Sequence, residues 1–281
     1  MIAQRNLSLL SNRLARAGGR RIPEAVLERD YCLAWFLVAL SRCALGQRLV
    51  FKGGTALKRC YFPDYRFSED LDFTLLEPTE FETLHPELEA VLAEAHRASG
   101  IRLRYASPSR TPHPNSFTFF LGYEGPLPGP AGREVKVDIT LRERLVFPLA
   151  HQPVLRGYPE YEDLPEACPV QVYSLSEIGA EKVVALEDRA RNEPRDLYDV
   201  WYLFGEGHLH LEELLWGVEQ KWEFRNATLS VSRGNLMDKY ARYQKLWKTR
   251  LSAQLAELPE FEEVFRGVRR AFRQAGLGGG V

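Results

Sequence analysis

A diglycine set between a short apolar run and an acidic one constrains this chain more than any other feature. The stretch is FKGGTALKRCYFPDYRFSEDLDF, from Phe51 to Phe73. Gln47 to Lys52 reads as a short strand that delivers the chain to Gly53 and Gly54, where a backbone without Cβ atoms can turn sharply and approach an anion closely. Thr55 follows near a predicted helix N-terminus, where unpaired N–H groups and a hydroxyl suit a phosphate. Arg66 and Ser68 then lie on a loop, and Glu69-Asp70-Leu71-Asp72-Phe73 begins a second strand. Residues two apart on a strand share a face, so Asp70 and Asp72 project together while Leu71 and Phe73 enter a core. Two carboxylates held that close repel each other unless a divalent cation sits between them, and oxygen ligands of this kind suit Mg²⁺ or Mn²⁺. Each piece also has an ordinary reading, Gly-Gly as a turn and Asp-x-Asp as the wet face of an antiparallel sheet.

The remaining elements can be placed by periodicity. Leu7, Leu10 and Leu14 predict a helix from Asn6 to Arg16, and a second runs from Glu24 to Leu45 with an apolar stripe that is core packing. A long helix follows Pro78 and Thr79 and ends at Ser99 before Gly100. Strands are predicted over Ile101 to Tyr105, Ser116 to Tyr123 and Glu134 to Thr140. In the last of these Val135, Val137 and Ile139 face inward, and Lys136, Asp138 and Thr140 face out. Were that strand to lie beside Asp70 to Phe73, Asp138 would be a third carboxylate at the same metal; otherwise it is an ordinary exposed acid. The proline-dense residues 142 to 170 read as an irregular connector ending in a short strand, Val170 to Ser174.

Beyond the connector the pattern is helical. Ser176 is a candidate N-cap for a helix on which Lys182, Leu186 and Arg189 share one broad face. Pro194 interrupts, and a new helix opens on Arg195-Asp196-Leu197-Tyr198-Asp199. Asp196 and Asp199 in its first turn are what the helix dipole favours, and Lys182 and Arg189 could equally be surface charges. Toward the C-terminus Lys239, Arg242, Lys245, Lys248 and Arg250 alternate with Tyr240, Tyr243 and Trp247, and Arg266, Arg269, Arg270 and Arg273 line the last helix. Such a pattern suits RNA, by phosphate contact and base stacking, or is a solvated face whose aromatics turn inward. The expected organisation is α+β: a unit over 1–170 with a mixed sheet, a helical unit over 171–275, and a flexible tail over 276–281.

Composition sets outer limits. Formal net charge is -1 over 281 residues, so no global field draws the chain to nucleic acid or an anionic membrane. Its four cysteines have no metal spacing, no apolar run is long enough to span a bilayer, and no signal-peptide pattern opens the chain. A cytoplasmic protein without membrane contact is expected.

Gly53-Gly54-Thr55-Ala56-Leu57 followed by Arg66-Phe67-Ser68-Glu69-Asp70-Leu71-Asp72 resembles the first motif of the AbiEii/AbiGii toxin family, within the DNA polymerase beta-like nucleotidyltransferase superfamily. Glu181-Lys182 and the later Arg195-Asp196-Leu197-Tyr198-Asp199 resemble that family's second motif. The resemblance implies a polymerase-beta-like catalytic domain and a metal-dependent enzyme that moves a nucleoside monophosphate from an NTP to an acceptor. It further implies that Asp70, Asp72 and Asp138 hold the metal. Gly53, Gly54, Thr55, Arg66, Ser68, Arg195 and Asp199 would bind nucleotide. Lys182 would contact the phosphates, with Asp196 or Asp199 as the acid that completes the site. The implied setting is a toxin–antitoxin or phage-defence system with a cognate antitoxin and an RNA acceptor, tRNA foremost. Two alternatives keep the fold: modification of a protein side chain, or an inactive nucleotide-binding module.

Overall fold

Seven strands of mixed direction form one sheet in the order β3-β4-β5-β2-β1-β7-β6. The computed structural model describes residues 1–17, 19–109, 113–129, 133–229 and 233–277, with the side chains of 228 and 229 left aside. The last four residues of the expected tail, 278–281, lie outside the described residues. Two units are distinguished. The first comprises Met1–Glu143, Leu149–Tyr173 and Gln254–Ala256; the second takes in Arg144–Pro148, Ser174–Ala253 and the chain from Glu257 on.

In chain order the first unit carries α1 (Gln4–Arg16), α2 (Glu24–Ser41), β1 (Leu49–Lys52), α3 (Gly53–Ala56), β2 (Leu71–Leu75), α4 (Phe81–Ser99), β3 (Arg102–Pro108), β4 (Ser116–Glu124), β5 (Glu134–Thr140), β6 (Leu149–Pro153) and β7 (Pro169–Tyr173). Helix α2 is apolar around most of its circumference and is buried accordingly. Gly100 adopts φ 78° and closes α4, its N–H bonding to the His96 carbonyl at 2.8 Å. Phe51, Phe73, Val137 and Ile139 occupy one face of the sheet, and Phe73 meets Phe36 of α2 with ring centroids 6.3 Å apart. β2 runs parallel to β5 and antiparallel to β1.

The connector reading of residues 142 to 170 is corrected. Leu149–Pro153 is a strand, antiparallel to β7, and β7 in turn lies parallel to β1. Proline density misled because Pro153 and Pro169 pair at the last rung of an edge strand, where a missing N–H costs no ladder bond.

Buried charge marks this unit. Arg59 ion-pairs with Asp30, donates to the Leu155 carbonyl at 3.1 Å and lies over the Tyr161 ring, and both partners of the pair are nearly inaccessible. Removing one partner leaves the other charged and uncompensated. Asp30→Asn is therefore expected to cost about 3–5 kcal/mol, read as a lower urea midpoint at unchanged slope.

Lys58, next in line, donates to Pro63 O at 2.9 Å, Tyr65 O at 3.0 Å and the Tyr158 hydroxyl at 3.0 Å. Burial pushes its ammonium down to about 8, partly offset by the charge of Asp30. Below pH 8 both folded and unfolded chains carry the proton, and the fold bears the full cost of the buried charge. Between pH 8 and 10.5 the folded chain has released a proton that the unfolded chain keeps, so stability rises with pH. Relative to Lys58→Met, the wild type is expected to gain up to about 3 kcal/mol between pH 7 and 10.5, measured by paired urea titrations.

The second unit holds α5 (Leu175–Glu187), α6 (Pro194–Val200), α7 (Leu215–Leu229), α8 (Tyr240–Leu251) and α9 (Phe261–Gln274). Ser174, not Ser176, caps α5, its side chain accepting the Glu177 N–H at 3.3 Å. Glu177 accepts from the Val146 and Phe147 amides at 3.0 and 2.8 Å and pairs with Lys221 at 2.6 Å, both charges fully buried. α5 ends at Glu187, because Asp188 turns out at ψ 115°. Arg189 therefore does not share a helical face with Lys182. Lys239 is another correction to a surface reading: its ammonium donates to the carbonyls of Leu186, Asp188 and Arg191 at 2.5, 2.7 and 2.8 Å. Those bonds gather backbone acceptors at and beyond the α5 C-terminus. Tyr243 and Trp247 are buried, so these two aromatics of α8 serve the core and do not offer a stacking platform.

Candidate active site

The diglycine sits where β1 hands over to α3. Gly53 adopts φ 79°, a left-handed conformation that other residues rarely tolerate. A Cβ there would lie 2.6 Å from Oδ2 of Asp72, so that carboxylate rests directly on the glycine backbone. A Cβ on Gly54 would come within 2.6 Å of an Arg66 guanidinium nitrogen and 3.4 Å of Ser68 Oγ. Thr55 does not present its hydroxyl as an open phosphate donor: Oγ1 donates to the Asp70 carbonyl at 2.5 Å and ties the bend to the entry of β2. Helix α3 is short and passes at once into a π-helical turn, Leu57–Tyr61.

Across the sheet the acids are in register. Lys52 of β1 is opposite Asp72 of β2, Asp72 is opposite Asp138 of β5, and Asp138 is opposite Thr118 of β4. All four have the parity opposite to Phe51, Phe73 and Val137, so they form one polar row on the face away from α2. Oδ2 of Asp138 accepts from Thr118 Oγ1 at 3.0 Å and lies 3.4 Å from Lys136 Nζ.

Among the described residues no group of three or more His, Cys, Asp or Glu side chains converges as a metal centre. The expected three-carboxylate cluster is thus not preformed. The in-register pair Asp72 and Asp138 nevertheless fits a small hard cation, since Mg²⁺ takes one or two carboxylates and completes its shell with substrate phosphates and water.

Arg66 is almost wholly buried, with Nη1 donating to Gln254 Oε1 at 3.1 Å and its guanidinium 5.5 Å from the Tyr65 ring centre. The Phe67 N–H bonds to the Gln254 carbonyl at 2.8 Å. Gln254 thus holds the Arg66-Phe67 loop twice, and sequence reading missed it. No local signal could have found it, because the residue comes from the far end of the chain.

In the second unit Lys182 lies 2.7 Å from Asp199 Oδ2 and 3.7 Å from Asp196 Oδ1. Asp196 is also forked by Arg191, at 2.6 and 3.2 Å. Burial would raise the Asp196 carboxyl, but Arg191 and Lys182 outweigh it and hold the group below its ordinary value. Asp199 is therefore the nearer acid to the lysine, and Asp196 is shared. Arg195 lies 4.0 Å from Glu193.

The α+β architecture with its mixed sheet, the glycine bend and the acidic strand together are those of a nucleotidyltransferase. The chain belongs to the AbiEii family: the model described as "Nucleotidyl transferase AbiEii toxin, Type IV TA system" matches residues 35–274. In fold the chain is similar to MenT4, a nucleotidyltransferase toxin of Mycobacterium tuberculosis H37Rv, with a TM-score of 0.67 at 19% identity over 96% of this chain and 89% of that one. No curated protein matches it.

Proposed function

We propose that this nucleotidyltransferase moves a nucleoside monophosphate from an NTP to RNA, tRNA foremost, in a divalent-metal-dependent reaction, as the toxin of a pair with a cognate antitoxin. The single observation that carries the reading is the in-register pair Asp72 and Asp138 beside the left-handed Gly53. Asp70, at the entry to the same strand, is the third acid of the proposal.

In the step proposed, an RNA hydroxyl forms a bond to the α-phosphorus, the bond to the β-phosphate oxygen breaks, and pyrophosphate leaves. Mg²⁺ or Mn²⁺, held by Asp72 and Asp138, would supply charge neutralisation at the phosphates and a more acidic hydroxyl. Thr118 and Lys136 engage Oδ2 of Asp138, so the hydroxyl proton would pass to Oδ1. The backbone of Gly53 and Gly54 lets phosphate oxygens come close, and Arg66 and Ser68 packed against Gly54 would stabilise the growing charge. For Lys182 we propose a phosphate-binding role, with Asp199 and Asp196 fixing its ammonium.

RNA as acceptor is supported by α9. Arg266, Arg269, Arg270 and Arg273 follow i, i+3, i+4, i+7 spacing and are all exposed. Among the described residues none of the four forms an ion pair. The helix cannot roll, since its opposite face is buried and Gly267 packs on Trp201, where a Cβ would stand 2.6 Å from the indole. Four guanidinium groups on one locked face suit a phosphate backbone. Cytoplasmic action is part of the proposal; no described helix is long and apolar enough to cross a membrane.

The test is incubation with each α-labelled NTP, Mg²⁺, and total RNA or total protein. Label in the RNA fraction, lost on chelation, is the expected result. Label in protein alone would reject the acceptor, and no label in either would reject the transferase reading.

A further inference from the structure

We propose that Lys52, which ends β1 immediately before the diglycine, is a positioning residue: it holds Asp72 in place and balances the charge of the acid pair. The inference rests on Asp72 and Asp138 being the carboxylates that act on the nucleotide.

Three observations carry it. The first is register, because Lys52 lies directly across the β1–β2 ladder from Asp72 and on the same polar row. The second is burial. Only 7% of Lys52 is accessible, and a lysine is almost never that deep without compensation for its charge. Its ammonium stands 5.6 Å from the centre of the Tyr173 ring, within cation–π range. Tyr173 is itself held at both ends, its ring by a 2.5 Å bond between its hydroxyl and Thr74 Oγ1 and its backbone by the Tyr61 hydroxyl donating to its carbonyl at 2.7 Å. Lys52 is thus set between a pinned aromatic face and an acid.

The third observation is the charge around the acids. Asp138 has Lys136, two residues before it on β5, at 3.4 Å, and Asp72 has Lys52 across the ladder, so each acid of the pair has its own cation beside it. Two neighbouring carboxylates repel, and a cation beside each offsets that repulsion without a divalent ion. The same cations weaken the pull of the bare pair on a divalent ion. A strong hold then requires the oxygens that a triphosphate brings.

Lys52→Met and Lys52→Gln remove the charge at similar length, and Lys52→Arg restores it. Binding of Mn²⁺ to nucleotide-free protein, followed by electron paramagnetic resonance, is expected to tighten about tenfold in the neutral variants and to return toward wild type in Lys52→Arg. Turnover should fall on the order of 10²-fold, because Asp72 is no longer fixed, with KM for NTP changed far less. A merely structural lysine would not tighten Mn²⁺. Unchanged or weaker Mn²⁺ binding in folded Lys52→Met or Lys52→Gln overturns the proposal, as does a raised KM for NTP with Mn²⁺ affinity unmoved. If Asp72→Asn kept full turnover, the active-site reading itself would fail. If Asp72→Asn were inactive while Lys52→Met bound Mn²⁺ like wild type, only the role of Lys52 would be lost.

Discussion

Asp72→Asn is expected to lower turnover by on the order of 10²–10³-fold while leaving the protein folded. The size follows from where Asp72 sits. It is the middle of the polar row, opposite Asp138 on one side and Lys52 on the other, and its Oδ2 lies against the Gly53 backbone. Asparagine keeps the shape but removes one negative charge from the acid pair, so the site loses cation affinity without losing packing. Leu71 and Phe73, which anchor the same strand, are fully buried on the opposite face and are untouched by the change. Single-turnover transfer of labelled nucleotide, alongside thermal melts, checks both halves. A variant that melts with wild type and also turns over with it would place the chemistry elsewhere.

Gly53→Ala should be damaging for a different reason. Holding a non-glycine residue at φ 79° costs roughly 1–2 kcal/mol, and the added methyl would stand 2.6 Å from an Asp72 carboxylate oxygen. Either the bend or the carboxylate must move. A melting temperature lower by about 2–8 °C is expected. A displacement of the carboxylate by even an ångström should take turnover down on the order of 10²-fold. Gly54→Ala provides the contrast. Gly54 has no positive φ, so its added methyl brings no left-handed backbone penalty and crowds only the Arg66 guanidinium; the melt should shift less while transfer still suffers. Equal loss of melting temperature in both variants would show that backbone conformation at Gly53 is not what matters.

The parts legible in the sequence were those governed by short-range rules. A glycine pair marks a bend because only glycine tolerates the conformation found at Gly53. Alternation of period two assigned Leu71 and Phe73 to the core and the acids to the other face, and did the same for Val135, Val137 and Ile139. Those properties belong to a few consecutive residues. Errors arose where a neighbour in sequence was not the deciding neighbour in space. Lys239, placed by its spacing on a basic face, is buried because the carbonyls of Leu186, Asp188 and Arg191, far back in the chain, receive it.

By itself, then, the sequence determined the family, the α+β character and which residue types crowd around the glycine bend, because motif spacing and periodicity are local. Only the tertiary structure decided that Asp72 and Asp138 stand side by side, that Lys52 completes their row, that Gln254 grips Arg66, and that Leu149–Pro153 is an edge strand. Strand partnership and register are set by packing between segments tens of residues apart, and no window of adjacent side chains carries that information.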